Sequence, residues 1–151
     1  MSKTFRAFHA LHLAHMAIFR AADKSLKRQE GILTAHQSIL FVLCAEDGVP
    51  SSVIARRAGM SKSRLTGLVD ALETKALIRR QRGEKDARQQ LLFIEPEGRT
   101  LIDRTKGRLT ALNELMLEDF DEDERSIIQR FLHNAVTKVV SDIEMQEDNY
   151  A

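Results

Sequence analysis

The sequence predicts a mainly α-helical fold with one small β-hairpin, and three observations lead there. Along most of the 151 residues, apolar side chains recur every three or four positions, which places them on one face of a helix. Only two short runs, Leu77 to Arg82 and Gln90 to Glu95, read as strands, and they flank a polar loop that contains Gly83. Two prolines and seven glycines leave little room for linkers, while 43% hydrophobic residues suffice for one compact domain, or for a small domain with a helical module added.

Residues 4 to 28 form the first expected helix. Its apolar positions, among them Phe5, Phe8, Leu11, Leu13, Met16, Ile18 and Phe19, exceed one narrow stripe, so burial against a second subunit as well as its own core is expected. Gly31 can end it, and Thr34 with Gln37 reads as a capping box for a helix from Ala35 to about Asp47. Ile39, Leu40, Leu43 and Cys44 face the core there. Next, Ile54, Ala55, Ala58 and Met60, then Leu65, Leu68, Val69 and Leu72, lie on either side of Gly59, as two short helices packed across a tight turn require. Gly59 supplies a positive φ, Ala55 is small where the helices cross, and Ser61 opens the second helix as its N-cap. The free backbone N–H groups of that first turn, with Lys62, Ser63 and Arg64, then point outward at whatever lies ahead.

The hairpin follows. Arg79, Arg80, Arg82, Lys85 and Arg88 crowd it, and an arginine at such a tip has the length and charge to enter a narrow, negative minor groove. After it, Glu97 to about Asp119 is helical, with Ile102, Leu109, Leu112 and Met116 on one seam and Pro96 suited to the first helical position. Asp121 and Glu124 form a capping-box start for a last helix that carries Ile127, Phe131, Leu132, Val139 and Ile143.

The net charge of +1 conceals an asymmetry. Residues 49 to 94 hold ten Lys or Arg against four Asp or Glu, a balance of +6, which leaves −5 for the rest. Phosphate binding needs such a local excess, and the acidic remainder limits nonspecific adhesion. A solvated charged face is the plainer reading of the same residues. The single cysteine, Cys44, rules out an internal disulfide and fits a reducing cytoplasm. It lies in an apolar run without a basic neighbour in sequence, which suits a buried small residue better than a reactive thiol. No signal peptide is visible, and Arg6, His9, His12, His15 and Arg20 interrupt the apolar N-terminal run, so no membrane span is expected.

His9, His12 and His15 repeat every three residues, which raises the question of a metal. Steps of three turn side chains backwards by ~60° each, so the first and third sit ~120° apart and all three cannot easily meet one ion. Packing or hydrogen bonding in a subunit interface is the alternative. The acidic stretch Glu118 to Arg125 lacks the glycine and spacing of a calcium loop and reads as a helix start. No phosphate-cradling glycine loop, nucleophile elbow or metalloprotease motif is present, so nothing points to an enzyme or to a cofactor.

The order Leu33-Thr34, Gln37, Ile54-Ala55, Ser61-Lys62-Ser63, Leu68-Val69-Asp70, Leu72-Glu73, Leu77-Ile78-Arg79-Arg80, Asp86-x-Arg88 and Gly98-Arg99 resembles the MarR family of winged helix-turn-helix regulators. The match covers Leu33 to Arg99 by motif and the flanks by length and helical pattern. Departures are Ala76 where the family usually has glycine, Gly67 where a larger, often basic residue is common, a wing that reads Asp-Ala-Arg, and Glu95-Pro96 in place of a capping threonine.

The resemblance implies a winged helix-turn-helix domain at 33–96 and a helical dimerisation module from 1–32 and 97–151. It implies a homodimer on double-stranded DNA, most simply a repressor at a pseudo-palindromic operator, with two recognition helices in successive major grooves. Ser61, Lys62, Ser63, Arg64 and Thr66 are the expected contacts to the major groove and nearby phosphates, with Arg88 for the minor groove and Asp86 as its brace. A small aromatic or phenolic effector at the junction of the two modules is also implied, and His15, Phe19, His36, Leu40 and Leu109 are candidates to line its site. Two readings of other classes stand beside this one. A winged-helix module used for protein assembly has no need of +6 on its reader, and a histidine-dependent metal sensor or enzyme would show itself in a metal titration.

Overall fold

A computed structural model describes residues 5–83 and 88–148. In chain order its elements are α1 (Ala7–Glu30), α2 (Thr34–Ala45), β1 (Val49–Pro50), α3 (Ser51–Arg57) and α4 (Lys62–Thr74). The strands β2 (Ile78–Arg82) and β3 (Gln90–Ile94) follow, then α5 (Pro96–Leu117), α6 (Glu122–Asn134), a π-helical turn at Ala135–Val139, and α7 (Val140–Asp148). The chain divides into two compact units, Met1–Thr105 and Lys106–Ala151, with α5 contributing to both.

The core of the first unit is built on α2. Ile39, Leu40 and Leu43 are wholly buried there, with Ile54, Leu72, Ile78 and Leu92 brought in from the elements that follow. Helix α1 ends as its glycine suggests: Gly31 takes φ 68° and its N–H donates to the Lys27 carbonyl at 3.0 Å. The start of α2 differs from expectation. Thr34 and Gln37 do not form a capping box. Asp23, reaching over from α1, accepts from the Thr34 backbone N–H at 2.7 Å and from its hydroxyl at 2.6 Å. Gln37 is buried instead and donates to Thr105 Oγ1 of α5 at 3.0 Å. The side chain three residues into the cap that does reach back is His36, whose Nδ1 accepts from the Leu33 N–H at 3.0 Å. A carboxylate from a neighbouring helix, invisible to a local motif, took the place of the threonine hydroxyl.

Helices α3 and α4 close with the same turn. Gly59 (φ 63°) donates to the Arg56 carbonyl and Met60 to that of Ala55; at the end of α4, Ala76 donates to Glu73 and Leu77 to Leu72. These are paired 5→2 and 6→1 bonds around a left-handed residue, and the second places an alanine at φ 55°. The expected hairpin is present, but the sheet has three antiparallel strands in the order β1-β3-β2, with Val49 opposite Leu92 and Arg80 opposite the same Leu92. Two residues ending in proline gave no sequence signal for β1. Asp47 secures this sheet: one carboxylate oxygen accepts from the Ile94 N–H at 2.9 Å and the other from Arg99 of α5 at 3.0 Å. Gly98 lets α5 sit directly on the start of the hairpin, since a Cβ there would stand 2.4 Å from the Leu77 carbonyl oxygen.

In the second unit Asp121 and Glu124 make the expected reciprocal capping box, with bonds of 2.9 and 3.0 Å. Arg125 donates to the Leu117 and Phe120 carbonyls left open where α5 ends. The last helix is not uniform as expected, because the π-helical turn separates α6 from α7. Leu112, Leu115, Met116, Phe131, Val136 and Ile143 are all exposed in this unit, and Phe5, Phe8, Leu13, Ile18 and Phe19 are exposed along the first helical stretch of the other.

Candidate nucleic-acid interface

The N-terminal turn of α4 presents the expected polar residues to solvent. Ser61 holds the N-cap position (φ −69°, ψ 155°), and its Oγ accepts from the Arg64 N–H at 3.3 Å. Lys62, Ser63, Arg64 and Thr66 are exposed. The Thr66 hydroxyl donates back to the Lys62 carbonyl at 3.0 Å, which leaves its oxygen lone pairs available as acceptors.

Between α4 and the hairpin lies an open cleft of about 580 Å³. Lys62 and Thr66 line it from α4, Arg80, Arg82 and Arg88 from the hairpin, and Ser51 and Ser52 from the start of α3. The structure therefore brings together Lys62, Thr66 and Arg88, three of the residues expected to contact DNA. Ser61, Ser63 and Arg64 occupy other positions of the same turn, and Asp86 lies outside the described residues.

The sequence counts every arginine of the hairpin as equivalent, and the structure separates them. Along β2, successive side chains point to opposite faces. Arg79 turns away from α4; it pairs with Glu95 at 3.1 Å, its guanidinium carbon lies 4.2 Å from the centre of the Phe93 ring, and it donates to Gln81. Arg80 points toward α4 and is held by two carboxylates of that helix. Its Nη2 is hydrogen-bonded to Asp70, its Nε lies 3.1 Å from Glu73 Oε2, and its backbone N–H donates to Glu73 Oε1 at 3.3 Å. Outside the hairpin, Arg57 pairs with Glu46 at 2.6 Å. Lys62, Arg64 and Arg82 make no such ion pair among the described residues. Charge without an ion pair among the described residues of this face thus lies on Lys62 and Arg64 of the α4 turn and on Arg82 of β2. Sequence reading missed Arg82, Ser51 and Ser52 as lining residues; the strand alternation Ile78, Arg80, Arg82 was the signal that places Arg82 on the cleft side.

The five effector candidates have different surroundings. The His15 and Phe19 rings stack on α1 with centroids 4.5 Å apart and planes tilted by 37°. Leu40 is fully buried in the core. His36 is buried too; its Nε2 has no hydrogen-bond partner among the described residues, and burial holds its imidazole below the usual pKa, with Lys75 adding to the effect and Asp23 opposing it. Leu109 is exposed in the second unit. Among the described residues, no group of three His, Cys, Asp or Glu side chains is placed to hold a metal ion.

A helix pair around Gly59, a reading helix capped by a serine, and a cationic hairpin beside it define a winged helix-turn-helix protein. Residues 30–89 match the model of the MarR family. A transcriptional regulator of the helix-turn-helix type, TtmR of Methylorubrum extorquens (strain PA1), is 29% identical over 102 residues, which are 64% of this chain and 50% of that protein. The chain thus spans about half the length of that curated relative. Among solved structures, the transcriptional repressor CouR bound to a 23-mer DNA duplex is 25% identical (TM-score 0.74, covering 86% of this chain and 92% of the other). The PcaV transcriptional regulator of Streptomyces coelicolor, in complex with its natural ligand, is 23% identical with a TM-score of 0.76, covering 92% and 99% of the two chains. The matched segment spans the helix pair and the hairpin, and these relatives are transcriptional regulators.

Proposed function

We propose that this protein is a homodimeric, sequence-specific DNA-binding repressor that occupies a pseudo-palindromic operator and is released by a small aromatic or phenolic effector. The observation that carries the reading is the cleft between α4 and the hairpin, lined by Lys62, Arg82 and Arg88 together with Arg80, whose charge is taken up by Asp70 and Glu73, while Arg79 pairs with Glu95. In this reading the α4 turn, Ser61 to Thr66, enters the major groove, with Arg64 long enough for bidentate readout of guanine, and Arg88 with Asp86 as its brace serves the minor groove. CouR bound to duplex DNA supports the partner, and PcaV in complex with its ligand supports an effector.

The division proposed for the chain is a reader at 33–96 and a dimerisation module from 1–32 and 97–151. The exposed apolar side chains of both segments support it, since large apolar side chains gathered on helices are the usual mark of a surface covered by a partner. An effector would relieve repression only by favouring a spacing of the two readers that does not fit the operator. No helix among the described residues is long and apolar enough to cross a membrane, and the proposed place of action is the cytoplasm.

The test is a titration of purified protein onto the DNA immediately upstream of its own coding region, against an unrelated duplex of equal length and across a range of salt. Tight, salt-sensitive binding that prefers the upstream duplex is expected. Equal, weak binding to both duplexes would argue against an operator there.

A further inference from the structure

Lys62, Thr66 and Asp70 follow one another at intervals of four along α4, and Glu73 comes three further on, so they share one face of the helix. The N-terminal end of that face opens on the cleft, and the C-terminal end grips β2. Arg80 is the residue gripped. Its side chain is only 24% exposed, both carboxylates reach its guanidinium, and Glu73 also takes its backbone N–H. The hydrogen bonds from Nη2 to Asp70 and from the backbone N–H to Glu73 have fixed directions, while Nε, 3.1 Å from Glu73 without hydrogen-bond geometry, adds charge attraction, so the cluster constrains orientation as well as distance. With two negative charges on one positive, the cluster is a poor phosphate ligand. Arg80 itself borders the cleft, and two residues along the strand Arg82 lines it from the same face of β2.

We propose that Arg80, clamped by Asp70 and Glu73, is a positioning residue that sets the distance and angle between the reading helix and the wing, so that Lys62 and Thr66 on one and Arg82 and Arg88 on the other meet the duplex together. The inference rests on the DNA-binding reading above and assigns to the most enclosed arginine of the hairpin a role other than contact with DNA.

The sign of one substitution separates this role from simple electrostatics. Removing two carboxylates beside a DNA-binding face strengthens binding if charge alone matters. The clamp requires the opposite: Asp70→Ala with Glu73→Ala, which keeps helix-forming residues on α4, weakens binding to the upstream duplex by roughly five- to tenfold. Arg80→Ala weakens it comparably while the slope of log affinity against log salt stays unchanged, whereas Arg82→Ala, which removes a phosphate contact, lowers that slope by about one.

Hydrogen exchange of the free proteins supplies a readout independent of DNA, with faster exchange expected in β2 and β3 of the carboxylate double variant and unchanged exchange in α2. Unchanged or tighter DNA binding by that variant, a salt slope that falls with Arg80→Ala, or unaltered exchange in the hairpin would each overturn the clamp. If Lys62→Ala and Arg82→Ala also leave binding unchanged, the DNA-binding reading itself fails. If they weaken it and the carboxylate variant does not, only the clamp does.

Discussion

Ala76 stands at φ 55°, where an L residue other than glycine crowds its own Cβ. It is held there by the paired backbone bonds that end α4, at a point where glycine would sit without that strain. Ala76→Gly should therefore stabilise the protein by about 1 kcal/mol, read as a raised urea midpoint at constant slope. His36 makes a prediction about pH. Its Nδ1 accepts the Leu33 N–H, so the ring must be neutral in the fold, and burial lowers its pKa from the ordinary value. The unfolded chain then binds the proton more readily. Stability on this account is fully present above the unfolded pKa of about 6.5, declines as pH falls through the window below it, and levels off once the folded-state pKa is passed. Melting temperatures measured from pH 7.5 down to pH 5 should show this decline, and His36→Gln should reduce it.

At the scale of elements, the wing depends on a close approach that only glycine permits. Gly98→Ala would put a methyl group 2.4 Å from the Leu77 carbonyl oxygen and 2.8 Å from Ile94 Cγ1. Backbone cannot swing aside as the end of a side chain can, so a loss of about 1–3 kcal/mol is expected in a denaturant titration. DNA binding by the folded fraction should fall with it, because Gly98 seats α5 against the start of the hairpin. The reading turn makes a different prediction. Arg64→Ala should narrow the affinity gap between the upstream duplex and unrelated DNA, while Arg88→Ala should weaken binding to both and reduce the salt slope. Equal affinities for wild type and both variants would remove these two residues from the interface. Ser61, Gly59 and the run of Leu65, Val69 and Leu72 made this element legible from sequence, since each acts within one or two turns of its own helix.

At the scale of the whole molecule, the exposed faces make a dimer the expected state. Phe8 is 79% exposed and Leu115 61%, and each is one of several apolar side chains on its helix. Sedimentation at micromolar concentration should give twice the chain mass, and Phe131→Asp should raise the dissociation constant at least ~10-fold, since a charge on a desolvated apolar contact goes unpaired. A wild-type protein that sediments as a monomer would contradict the proposed assembly and leave a single reader to find its site alone.

The sequence by itself determined the helices, the hairpin, the serine and aspartate caps at Ser61 and Asp121, and the turn at Gly59, because each is decided by side chains a few residues apart. It also located the basic excess. Tertiary structure alone decided which of those charges face outward. Asp70 and Glu73 are ten and seven residues from Arg80 in the chain, and Glu95 is sixteen from Arg79, so their pairing depended on how α4 and the two strands came to lie side by side. The same holds for Asp23, which caps α2 from another helix, and for Val49 and Pro50, which became a strand only because β3 offered an edge. Charge and hydrogen bonding act through space, and composition counts a residue before the fold has given it a neighbour.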